Sequence, residues 1–145
     1  MAKVRTRTNR QRPKPGWVRE DPIYGVTWVY LYCPLDQIPH ATAQIKGLSK
    51  GELAGLMQHV EAGFRDAHSM LGGKTLWSMG GHVGWIVVWV NPSVSCVPAT
   101  VAHECLHGVA VTLADRGLRM SNDSDEAYTY YLGWAVEGWY EGVGK

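Results

Sequence analysis

The stretch 97-VPATVAHECLHGVAVTLADRG-117 decides how this chain is read. Pro98 suits the first turn of a helix, where its missing N–H costs nothing, and Gly117 supplies the left-handed residue that ends one. The spacing therefore predicts a helix from near Pro98 to Arg116. Inside it lies His103-Glu104-Cys105-Leu106-His107, an HExxH set. Residues four apart on a helix stand one above the other, so both imidazoles can reach one metal from a single face. Glu104 is rotated by about 100° from His103 and flanks the metal without ligating it, where a general base for water belongs. The rest of the helix is apolar, so a largely buried element is expected, with two histidines and a glutamate that need partners. The competing reading is a pair of satisfied core histidines beside a paired glutamate.

A catalytic zinc usually takes three protein ligands and leaves one place for water or substrate. Glu126, 19 residues after His107, is the best placed third donor, since the final helix can fold back across the first. Asp123 and Asp125 are rivals, Glu137 is three turns away, and Asp123 with Glu126 also reads as an ordinary capping box. Cys105 is read as packing.

Outward from this helix, Trp85–Val90 (WIVVWV) is the longest apolar run, far short of the roughly 20 residues a membrane span needs. It belongs to a strand Val83–Val90 that Asn91-Pro92 ends, preceded by a short strand Thr75–Met79 and a turn at Gly80-Gly81. Gly25–Cys33 (GVTWVYLYC) reads as a buried strand stopped by Pro34. Residues 34–48, with Pro34, Pro39 and His40, read as an irregular connector. Ser49 and Glu52 form a capping box, and an amphipathic helix of about six turns follows, ended by Gly72-Gly73. A last helix starts in Ser121–Ser124 and runs to about Gly138. His40, His59, His68 and His82 have no partner at metal spacing.

The chain has 145 residues with 46% apolar content, which suffices for one core and excludes a disordered chain. Three cysteines cannot all pair, and a reducing compartment fits them best. No apolar segment follows the basic start, so a cytoplasmic product without a signal peptide is expected. Residues 1–19 hold seven of the 14 basic residues and no acid, leaving the remainder at −6. Residues 1–20 are therefore expected to be a flexible basic arm and residues 21–145 a single domain. The arm, through residues 3–19, could grip a phosphate backbone, although no aromatics interleave for base stacking.

With these residues in place, HECLHGVAV followed by DEAYTYYLGW resembles the gluzincin branch of zinc metallopeptidases, and the element order is similar to the minigluzincins. The resemblance implies an α+β, zincin-like fold: a small mixed sheet, a long backing helix, an HExxH helix and a following glutamate helix. It implies one zinc per chain on His103, His107 and Glu126, with Glu104 taking a proton from water at the zinc and hydrolysing a peptide bond. Transition-state stabilisers would come from Tyr128, Tyr130, Tyr131 or His82, and Val83–Val90 would be the edge strand that an extended substrate joins. The chain departs from the family four residues after Glu126, where Tyr130 stands in place of an acid, so Asp115 or a carbonyl would have to orient a ligand histidine. A phage-encoded origin also comes from the resemblance. The alternatives are a catalytically silent zincin-fold binding or assembly protein, or a nucleic-acid-associated protein acting through the arm.

Overall fold

The computed structural model describes residues 13–78, 81–94 and 96–144. Four strands form one mixed sheet: β1 (Gly16–Glu20), β2 (Thr27–Tyr32), β3 (Gly73–Trp77) and β4 (Trp85–Val90), in spatial order β1-β2-β4-β3. β2 and β4 run parallel in the centre, with Trp28 opposite Ile86 and Tyr30 opposite Val88. β1 and β3 pair antiparallel on the two edges. Helices α1 (Ile38–Ala43) and α2 (Lys50–Phe64) cover one face, and α3 (Val97–Asp115) and α4 (Asp125–Val143) cover the other.

Alternation along the central strands builds both cores. Trp28, Tyr30, Ile86 and Val88 point to α3 and α4, while Val29, Leu31, Val87 and Trp89 point to α1 and α2. Both faces of β2 and β4 are covered, which is why these strands read as continuous apolar runs. Three aromatic tips tie α4 down. Trp17 Nε1 donates to the Gly138 carbonyl at 2.9 Å, Tyr30 Oη to the Ala135 carbonyl at 2.8 Å, and Trp28 Nε1 to Tyr131 Oη at 2.9 Å.

Several expectations need correction. Residues 16–20 are strand β1, so the expected arm of residues 1–20 overlaps the sheet. Trp17 is buried against α4, and Arg19 stacks 4.2 Å from the Trp134 ring centroid. Residues 1–12 of the expected arm lie outside the described residues. The connector 34–48 contains a 3-10 turn at Leu35–Gln37 and helix α1, because Pro39 sits in the first turn of α1, where proline is favourable. The helix after Ser49 stops at Phe64 and does not reach Leu71. There Gly63 lies against Leu76 of β3, and Lys74 Nζ donates to the Gly63 carbonyl at 2.7 Å. β3 begins at Gly73, two residues earlier than expected, and Met79-Gly80 lie outside the described residues. α4 continues past Gly138. That glycine marks a close approach, since a Cβ there would stand 2.8 Å from Arg19 Cδ and Tyr30 Oη.

The start of α2 is as expected. Glu52 N donates to Ser49 Oγ at 3.2 Å, and Ser49 N donates to Glu52 Oε2 at 2.7 Å. Hydrogen bonding of the Glu52 carboxyl to the Ser49 side chain first, and to the Ser49 N–H second, holds it below its ordinary pKa. A depressed folded-state pKa gives stability that is present above the unfolded value and lost as pH falls through the folded one. Ser49→Ala is expected to cost about 1 kcal/mol in urea unfolding at neutral pH, and less once acid has protonated Glu52.

Candidate metal centre

α3 is placed by what it buries. Val101, Glu104, Cys105, Gly108, Val109, Thr112 and Leu113 face the sheet and α4. Gly108 allows the closest approach, since a Cβ there would stand 2.6 Å from Trp28 and 2.7 Å from Ile86. The helix therefore turns His103 and His107 toward solvent, where both are exposed, on the side that adjoins Glu104. This overturns both the expected buried environment and the core-histidine alternative. The two Nε2 atoms are 3.1 Å apart, with ring centroids at 4.7 Å.

Zinc at about 2.0–2.1 Å from each of two tetrahedral ligands would need those ligands about 3.3 Å apart. The imidazole pair meets that spacing without moving the helix. Its chemistry, two borderline nitrogens presented to solvent, suits a divalent transition metal.

Glu104 faces the sheet side and is only 7% exposed. The Thr75 hydroxyl of edge strand β3 lies 2.7 Å from Glu104 Oε2 and 2.8 Å from the Glu104 carbonyl. One hydroxyl thus fixes both the carboxylate and the helix turn that carries it. Nothing in the sequence points to Thr75, which is 29 residues away and is brought in only by strand pairing. Cys105 is fully buried in the core as expected, and burial pushes its thiol up to about 12.

Glu126 does not join the pair. The buried face of α4 is Tyr128, Tyr131, Ala135, Gly138 and Trp139, and Glu126 lies about 160° round the helix from Tyr128, exposed. Its N–H donates to Asp125 Oδ1 at 2.8 Å, so the Asp123 capping box is not made either. Asp123 and Asp125 are exposed, and Glu137 pairs with Arg19 at 3.5 Å. Among the described residues no three His, Cys, Asp or Glu side chains form a group that could hold a metal. The protein therefore brings together His103, His107 and, on the adjoining flank, Glu104.

The other candidates are engaged elsewhere. Tyr128 Oη donates to the Leu118 carbonyl at 3.1 Å, and Tyr131 Oη accepts the Trp28 indole N–H. Tyr130 is exposed on α4. His82 lies 3.3 Å from Asp115, which also accepts the Val83 N–H at 3.0 Å and pairs with Arg116. The Val83 bond, more than His82 or Arg116, holds the Asp115 carboxyl below its ordinary pKa. Asp115 thus serves the β4 entry and does not orient the histidine pair. β4 is a central strand, because β2 and β3 flank it, and so it cannot receive an extended substrate. The edge beside α3 is β3.

No family model, curated protein or solved structure matches the chain. No helix among the described residues is long and apolar enough to cross a membrane.

Proposed function

We propose that the chain is a zinc-dependent peptide hydrolase in which His103 and His107 hold the metal and Glu104 accepts the proton. The observation that carries this reading is the pair of Nε2 atoms 3.1 Å apart on the open face of α3, with Glu104 held on the next flank by an edge strand. The mixed sheet with helices on both faces and the HExxH motif support a zincin-like reading of the fold, by resemblance to the gluzincins.

When bound, zinc supplies the positive charge that acidifies water and polarises a carbonyl. The chain supplies the rest. Thr75 holds Glu104 Oε2, which leaves Oε1 to take a proton from water and return it to the departing nitrogen. β3 offers the main-chain groups of its free edge to an extended polypeptide, beside the flank on which Glu104 lies.

One observation favours the second reading, a metal-binding or assembly module without hydrolysis. Among the described residues only two protein donors converge, where catalytic zinc sites usually have three. A role for the basic N-terminus in nucleic-acid binding loses Arg19, whose guanidinium is committed to Trp134, Glu137 and Glu141.

A mixed peptide library incubated with the zinc-loaded protein separates these readings. Hydrolysis that stops on chelation and returns with added zinc is the expected result. Zinc uptake with no bond cut would select the assembly module, and hydrolysis that survives chelation would contradict the proposal.

A further inference from the structure

The open face of α3 presents half of a closed metal site. The side chains of His103 and His107 bond to each other and, among the described residues, to no other side chain. Every His, Cys, Asp and Glu of the chain lies among the described residues, and no three of them come together as metal donors. Zinc in proteins takes four ligands in a tetrahedron, so the donors beyond this pair have to come from outside the chain. In the hydrolytic reading, water and substrate supply them. A second copy supplies them in another way, because two chains related by a twofold axis bring two imidazoles each, and the set of four is closed.

The surface beside the pair suits such a contact. Helical periodicity puts Ala99, Ala102, Leu106 and Ala110 on the flank of the pair away from Glu104. Ala99, Ala102 and Leu106 are exposed, Leu106 by 39%, and Ala110 is half-buried. From Val97 to Ala114 the only charged residue is Glu104, which is 7% exposed and bonded to Thr75 of β3. An uncharged, largely apolar strip therefore runs beside two exposed imidazoles. A twofold contact sets like surface against like, so a charged strip would repel its own copy and this one does not.

We propose that, when zinc is limiting, two copies of this chain share one zinc through His103 and His107 of each, with the Leu106 strip of each chain at the contact. The inference rests on the histidine pair as the metal ligands and adds a regulation of that site. Four imidazoles leave no place for water, so the dimer is a resting form without hydrolysis. Excess zinc gives each chain its own ion, and mass action then dissolves the dimer.

Sedimentation velocity and native mass spectrometry of the full-length chain, with zinc raised from none to excess, test this. The metal-free chain is expected to be a monomer. Half an equivalent of zinc should give a dimer carrying one ion, and excess zinc should restore monomers carrying one ion each. This rise and fall marks a shared ion, since general association by zinc only increases with zinc. His103→Ala and His107→Ala should each abolish the dimer. Leu106→Glu places a charge on the exposed strip, so fold and zinc uptake are retained while the dimer weakens by at least about tenfold. Monomers at every zinc ratio, each holding one ion, would overturn the shared site and leave the metal centre standing. No zinc uptake at all would overturn both. A dimer indifferent to the histidine substitutions, or equally stable with Leu106→Glu, would also sink the proposal.

Discussion

Trp28→Ala is expected to lower the unfolding free energy by about 4–5 kcal/mol and the melting midpoint by about 15 °C. Trp28 is fully buried at the centre of the sheet face that carries α3 and α4. Its ring meets Tyr131 edge-on at 5.7 Å and Trp134 edge-on at 6.1 Å, and lies beneath Gly108. Truncation leaves a cavity in a packed core, and Tyr131 Oη loses the indole N–H it accepts at 2.9 Å. Against a total of about 5–15 kcal/mol for a typical domain, this is a large fraction. The position also matters for the candidate site, because α3 rests on Trp28 at the turn between His107 and Val109. Trp28→Phe keeps most of the ring and should recover more than half of the loss. Urea midpoints of the three proteins, with an unchanged denaturant slope, check this. A loss below about 1 kcal/mol for alanine would show that the aromatic cluster is not the keystone of this face.

Glu104→Gln is expected to reduce peptide hydrolysis by about 10³-fold while zinc binding stays intact. Glutamine has the same shape, and its amide oxygen can still accept from the Thr75 hydroxyl, so the packing between α3 and β3 is preserved. It cannot take a proton from water. The substitution therefore separates holding the metal, which belongs to His103 and His107, from moving the proton. Thr75→Val should act in the same direction but more weakly, about tenfold, because the base loses only its orientation. Equal activity of Glu104→Gln and the wild-type protein would remove Glu104 from the reaction.

How far these features were legible in the sequence depended on whether their determinants were local. Helix α3 was readable from end to end, since Pro98 and the apolar stripe lie within it and Gly117, just past its end, adopts a φ of 80°. The Ser49–Glu52 capping box is a contact between residues three apart and was equally plain. β1 was hidden because its Trp17 and Val18 sit in a run of basic residues, and only packing on α4 reveals the strand. α1 was hidden by Pro39, read as a breaker although it occupies the turn that tolerates it.

The site divided along the same line. The pairing of His103 with His107 follows from helical periodicity, whereas which face they occupy depends on Gly108 meeting Trp28 across 80 residues of sequence. Glu126 failed as a third donor for a comparable reason. Aromatic residues of α4 lock its opposite face onto β1 and β2, and no local signal near Glu126 shows this. The strand order, which makes β3 and not β4 the edge, also rests on long-range pairing.

The central claim is that His103 and His107 hold the metal and that Glu126 does not. Zinc uptake measured by native mass spectrometry tests it most directly, on the wild-type chain beside His103→Ala, His107→Ala and Glu126→Ala. The account predicts one zinc per chain at saturation, lost in both histidine variants and retained in Glu126→Ala. Zinc bound equally well by the histidine variants, or lost in Glu126→Ala, would contradict it.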